Sequence, residues 1–356
     1  FGLVPKAVEE YIYNNKLFLA GISFSVLFCL FGILFPKNLM FVLSFSNNFI
    51  LDKFGFFYLL FGLLIILFAL SIVFLPISKK KLGETKPEYS YFSWIALLYS
   101  TGMGSGLLLR AVQEPMFYLQ KPPITVYDSK QIALQYTFFH WGLTPWAMYS
   151  IFGLIVAYNL YNRNEKNFLT AIVSNIKNSL LRKTIPLFII IITIAGVIAS
   201  LGLGTSQFIG GLNQYFNLDL GYKSLLITVS IIGIIGTLSA LTGISKVIKY
   251  LADFDMIVSL LLLLFVACFL NFQNYFHNTI YAIYHYIIHF FEMSLSVGNF
   301  KASERFTKDW TVFYWAFWLA WVPFTGIFIA RISKGRTIRE FIFATILVPT
   351  IATIIW

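Results

Sequence analysis

Phe313-Tyr314-Trp315-Ala316-Phe317-Trp318-Leu319-Ala320-Trp321 places six aromatic rings in nine residues of an otherwise apolar run. The run continues through Pro323 and gives way to a basic hairpin, Arg331 to Arg339. A helix facing lipid gains little from large rings at its centre, because acyl chains are already apolar and Trp and Tyr normally collect at the two interfaces. These rings therefore face something that is neither lipid nor water. A cluster of indole and phenyl faces suits a quaternary ammonium group, which has no N–H to donate and is held by ring quadrupoles and dispersion.

Working outward, the same apolar character recurs along the chain. The 356 residues are 58% hydrophobic and 12% charged, and runs of about 20 apolar residues repeat, the length that crosses a bilayer as a helix. The fold class expected is all-α, a polytopic membrane protein embedded in the lipid bilayer, with spans at about 17–35, 54–75, 91–118, 132–158, 185–216, 225–242, 256–271, 310–330 and 341–356. The first run is too late and too closely followed by others to be a removable signal peptide, and residue 1 is Phe, so the chain reads as a fragment at both ends. With the N-terminus cytoplasmic, 17 of the 26 Lys and Arg fall on inside segments and 8 outside, with Arg110 left within a span. This bias sets the expected orientation. The net charge of +11 then needs no nucleic-acid partner, because the basic residues are strung along cytoplasmic loops. Cys29 and Cys268 lie in apolar runs and imply no disulfide framework. An amphipathic aromatic run from Tyr275 to Phe291 fits a helix lying along the outer interface.

Three spans depart from the pattern of a passive lipid-facing helix. Gly102-Met103-Gly104-Ser105-Gly106 puts three glycines in five residues, each costing about 1 kcal/mol against Ala in a helix interior. One offset is an unwound segment at the bilayer midplane, whose free carbonyls meet a cation and whose half-helix N–H groups meet an anion. Close helix packing through small residues is the other. His140-Trp141-Gly142-Leu143-Thr144-Pro145-Trp146-Ala147-Met148-Tyr149 follows, and a helix disturbed at Pro145 turns Trp141, Trp146 and Tyr149 to one side; an interfacial aromatic belt is the competing reading. The third broken span is expected at Ser200-Leu201-Gly202-Leu203-Gly204-Thr205-Ser206-Gln207, fit to line a pathway or pack against the glycine helix.

These motifs together resemble the betaine/choline/carnitine transporter family. The resemblance rests on the glycine stretch with Glu114-Pro115, on Phe139 to Trp146, on Ser200 to Gly204, and most strongly on Trp310-Thr311 and Phe313 to Phe324 running into Ile329-Ala330-Arg331-Ile332-Ser333-Lys334-Gly335-Arg336-Thr337-Ile338-Arg339-Glu340. It implies two inverted five-helix repeats, the second truncated here after the start of the ninth span. It also implies alternating-access import of betaine-like quaternary ammonium solutes coupled to sodium, in the inner (plasma) membrane, with homotrimers frequent among relatives. Carried over residue by residue, the aromatic box falls on Trp141, Trp146, Tyr149 and Trp318, with Phe313, Phe317 and Trp321 along the same path and Gly102, Met103, Gly104, Ser105 and Gly106 opposite. Met103, Thr193 and Phe324 are the implied ion-coupling positions.

Departures from the family pattern bear on these roles. Phe317 replaces a common tryptophan, and Ser105 stands where an aliphatic residue is usual. Gly106 stands where several choline carriers have an acidic residue, which leans toward zwitterions. Val197 replaces the second of two hydroxyls a turn apart, leaving Thr193 alone. Arg110 lies within a span, and Glu114, four residues on, is expected to pair with it as a structural ion pair. The other reading of Arg110 is a fixed cation that stands in for a coupling ion, as in an exchanger. A proton-coupled carrier or exchanger of choline or carnitine type, and a non-transporting truncated product or membrane sensor, are the alternatives in function.

Other chemistry is not favoured. His285 and His289 are four apart, but the Glu of a metalloprotease motif is absent, so no metal site and no cofactor beyond sodium is expected. No nucleophile and base stand out, so no enzyme is read here. Three or four desolvated rings at about 2 kcal/mol each supply roughly 6–8 kcal/mol, and micromolar affinity needs about 8 kcal/mol net. A carboxylate meeting the N–H groups of the glycine stretch supplies the difference in a zwitterion.

Overall fold

The structure is a computed structural model. It describes residues 6–100, 105–125, 127–241 and 245–356, with the side chains of 6–15, 105–109, 239–252 and 255 outside the description. Gly102, Met103 and Gly104 therefore lie outside the described residues, and only the backbone of Ser105 and Gly106 is described. The chain is all-α and polytopic, with no strands among the described residues and six helices long and apolar enough to cross a membrane.

In chain order the helices are α1 (Lys6–Leu34), α2 (Pro36–Phe74), α3 (Tyr91–Ser100), α4 (Ser105–Gln120), α5 (Ser129–Trp141), α6 (Leu143–Asn162), α7 (Phe168–Val173) and α8 (Ser179–Phe216). They continue with α9 (Tyr222–Leu241), α10 (Ser245–Ala267), α11 (Phe272–Ile288), α12 (Phe290–Leu295), α13 (Glu304–Phe306), α14 (Phe313–Ile332) and α15 (Ile338–Ile355). A π-turn over Thr307–Val312 leads into α14.

Three expectations change. The 36–53 stretch, expected as an outside loop, is the first half of α2, a single helix of 39 residues. Pro36 sits in its first turn, where proline starts rather than breaks a helix, and no other proline follows before Pro76. The break expected at Ser200–Gln207 is also absent. Helix α8 runs unbroken for 38 residues, so Gly202 and Gly204 are absorbed at the ordinary cost of glycine in a helix. In the 132–158 span the chain does break, but at Gly142 rather than Pro145, which sits in the first turn of α6 where its missing N–H is not needed. The amphipathic run after α10 forms α11, which turns aside at 117°.

The core lies where α6 and α14 cross, flanked by α2 and α15. Glycines set the approach: a Cβ on Gly326 would lie 2.5 Å from Phe152 Cδ1, and one on Gly153 would lie 3.0 Å from the Gly326 carbonyl oxygen. On the third side, Gly62 of α2 leaves room for the buried Trp315 indole.

The basic hairpin after α14 closes one end. Leu82 N donates to Arg336 O (2.8 Å), Gly335 N to Leu82 O (2.7 Å) and Ile338 N to Lys80 O (2.9 Å), zipping residues 80–82 to 335–338. Gly335 has φ +83°, a conformation open to glycine without strain, and Thr85 O would lie 2.7 Å from any Cβ there. The Arg336 guanidinium lies over Tyr91 (4.0 Å) and Trp94 (4.6 Å) while Nη2 donates to Tyr89 O (2.6 Å). Trp94 Nε1 donates to Ser333 Oγ (2.9 Å). The clamp ties α3 to the α14–α15 connection.

Gly326→Leu puts a branched side chain against Phe152 and the α6 backbone. We expect a loss of about 1–3 kcal/mol from overpacking, read as earlier thermal loss of monodispersity in detergent, whereas Phe324→Leu on the exposed face leaves that profile unchanged.

Candidate functional site

The site begins with a backbone constraint. At Gly142 (φ −97°, ψ −126°) helix α5 ends and α6 begins after one residue, so the last carbonyls of α5 have no partner within the helix. Only glycine fits: a Cβ would lie 2.4 Å from Phe138 O. The freed carbonyls are taken by tryptophans. Trp318 Nε1 of α14 donates to His140 O (3.0 Å), and Trp146 Nε1 of α6 donates to Trp141 O (3.2 Å). Thr353 of α15 also donates to Trp141 O, at 3.3 Å. On the other side of the break the free amide of Leu143 is met by the Tyr286 hydroxyl from α11 (3.1 Å). The break therefore fixes both indoles by their polar edges and leaves their faces free for ring contacts.

The four residues assigned to the box come together. Ring centroids are 5.0 Å apart for Trp141 and Trp318 (87° between planes), 5.7 Å for Tyr149 and Trp318 (75°), 5.5 Å for Trp146 and Tyr149 (85°) and 6.5 Å for Trp146 and Trp318 (46°). The three near-perpendicular pairs are edge-to-face contacts, so the four rings pack on one another as a single aromatic cluster. All four are dry: Trp141, Trp146, Tyr149 and Trp318 are 7, 3, 2 and 5% exposed. An interfacial belt would leave such rings at the surface. Trp141 alone of the four also lines a cavity of about 500 Å³ bounded by Ala111 and Pro115 of α4, Thr137 of α5, Tyr275 of α11 and Thr353 of α15.

Phe313, Phe317, Trp321 and Phe324 form a ladder down a more open face of α14. Successive centroids stand 6.2, 6.3 and 6.3 Å apart, and Phe317 lies 5.9 Å from Trp318, joining the ladder to the box. Phe324 is half exposed. Thr193 is partly buried on α8, which packs on α14, and nothing described joins it to Phe324.

The expected ion pair takes a different form. Glu114 is fully buried, and three donors meet its carboxylate: Oε1 accepts from Trp141 Nε1 (3.0 Å) and from the Tyr314 hydroxyl, and Oε2 accepts from Tyr118 OH (3.3 Å). Among the described ion pairs none joins Arg110 to Glu114, although the guanidinium acts on the carboxylate electrostatically. Tyr118 OH also meets His140 Nδ1 (2.9 Å), and His140 Nε2 meets Thr311 Oγ1 (3.0 Å), so both ring nitrogens of this buried histidine are occupied. Tyr118, Tyr286 and Tyr314 were not singled out as site residues in the sequence; the one signal for them is a tyrosine in an apolar span, whose hydroxyl must find a partner. His285 and His289 stack with centroids 5.4 Å apart, and no group of three metal-ligating side chains occurs among the described residues.

Residues 16–356 match the family model described as "BCCT, betaine/carnitine/choline family transporter". The chain is 36% identical over 356 residues to the glycine betaine transporter OpuD of Bacillus subtilis, covering 96% of this chain and 69% of that protein. It is 34% identical to a glycine betaine/proline/choline/ectoine transporter of Vibrio parahaemolyticus, covering 96% of this chain and 63% of that one. Against the high-affinity choline transport protein of Escherichia coli it is 33% identical, with 96% and 52% covered. The chain thus spans between about half and about two thirds of the length of these relatives. These relatives are named as carriers and not as enzymes, and the chain belongs to the betaine/carnitine/choline transporter family.

Proposed function

We propose that the protein is a secondary active carrier that imports glycine betaine or a close quaternary ammonium relative by alternating access. It sits in the plasma membrane with its N-terminus cytoplasmic. The observation that supports this most directly is the dry box of Trp141, Trp146, Tyr149 and Trp318 on three helix segments, with an aromatic ladder leading from it. The names of the relatives point to the same solutes.

Sodium is the coupling ion in this reading, with Met103, Thr193 and Phe324 as candidate contributors. The energetic reason is independent of sequence. A single inward positive charge gains about 2.3 kcal/mol per 100 mV, less than two decades of gradient, and a net-neutral zwitterion gains nothing from the potential by itself. Accumulation therefore needs a co-moving ion or an outgoing solute. Val197, standing where sodium-coupled relatives have a second hydroxyl, weakens one sodium position, and Arg110 as a fixed cation within a span is what favours the exchanger as the competing reading. The family resemblance also suggests a homotrimer.

Two measurements test the proposal. In proteoliposomes, replacing external sodium with potassium is expected to abolish uphill betaine uptake; undiminished uptake identifies an exchanger or a proton-coupled carrier instead. Trp318→Ala removes one desolvated ring worth about 2 kcal/mol and should weaken betaine binding by about 30-fold. Unchanged affinity would refute the box.

A further inference from the structure

The buried carboxylate of Glu114 sits directly behind one wall of the aromatic box. Trp141 has a single polar hydrogen, and that hydrogen is donated to Glu114 Oε1 at 3.0 Å while the indole packs against Trp318 inside the box. An indole N–H only donates, and the remaining two donors, Tyr314 and Tyr118, also point at the carboxylate, so the group is built as an acceptor on both oxygens. The position is fully buried, in the low-dielectric setting where a charge one indole width away is felt most. Hydrogen-bonding an indole to an anion also moves electron density onto its ring and raises the negative character of the face that a cation meets.

We infer that Glu114 is a specificity-determining positioning residue: it orients Trp141 and supplies the counter-charge that makes the box prefer a quaternary ammonium head over an uncharged head of the same shape. The inference deepens the carrier reading and rests on it. Glu114 acts through Trp141 and does not touch the solute. Arg110, one turn earlier on α4, attracts the same carboxylate. Of the two side chains, only Glu114 has a described hydrogen bond to a box ring, so it is the one coupled directly to the box. The assignment separates two properties of the site. The ring faces and their spacing accept the shape of the head, and the carboxylate selects its charge.

The test compares glycine betaine with tert-butylacetate, its carbon isostere, by titrating tryptophan fluorescence of the detergent-solubilised protein. Wild type should bind betaine much more tightly. Glu114→Gln, which keeps size and an acceptor oxygen, is expected to lower the betaine-to-isostere affinity ratio by about tenfold while tert-butylacetate binding stays within about twofold. Equal loss of both ligands assigns Glu114 a merely structural role, and an unchanged ratio denies the counter-charge; either result overturns the inference. Should Glu114→Gln fail to fold, Arg110→Gln removes an opposite charge that acts on the carboxylate and should shift the ratio, and a ratio unchanged there overturns the inference as well. A wild-type protein that does not distinguish the two ligands removes the cation box itself, so that failure is told apart from failure of Glu114 alone.

Discussion

The site depends on one interrupted hydrogen-bond ladder. Inside a membrane an unpaired carbonyl is expensive, and a helix that stops at Trp141 leaves several. The protein meets this need with indole N–H groups from α6 and α14, and in doing so fixes two tryptophans by the edge that a cation does not use. Gly142 makes the stop possible, since its Cα sits where Phe138 O leaves no space for a side chain. Tyr286 completes the junction from α11, so an element lying aside from the bundle takes part in holding the centre.

A second fixed point lies at the opposite end of α14. The guanidinium of Arg336 is stacked on Tyr91 and Trp94 while the flanking backbone pairs with residues 80–82. Stacking on two rings holds a planar cation without requiring a carboxylate partner. Helix α14 is thereby pinned near its start by Tyr314 on the Glu114 carboxylate and beyond its end by this clamp. The aromatic ladder occupies the length between the two anchors.

The sequence made the box legible because large aromatic residues inside apolar spans have few reasons to be there, and each tryptophan assigned to the box does point inward. It did not show the break correctly. Pro145 drew attention as the conspicuous helix breaker, yet proline is harmless in a first turn, and Gly142 is decisive only through a carbonyl that approaches in three dimensions. The helical span over 36–53 was hidden by Lys37, Asn47, Asn48 and Lys53, which mimic a loop in composition although no residue there stops a helix. The long-range hydrogen-bond partners of Glu114 were hidden for a related reason. Arg110 and Tyr118, each four residues away, satisfy the local spacing rule, whereas the two donors to Oε1, Trp141 and Tyr314, are 27 and 200 residues distant along the chain. Local pattern finds candidates for a contact, and long-range packing chooses among them.

On the proposed carrier reading, the ladder of Phe313, Phe317, Trp321 and Phe324 would have a kinetic consequence. Rungs spaced by little more than 6 Å would give a migrating cation a series of shallow wells, each close enough to the next that one face is engaged before the last is released. A solute leaving the box along it would not cross a bare stretch. Residence in the central enclosure, more than the journey along the rungs, would then set the turnover of the carrier.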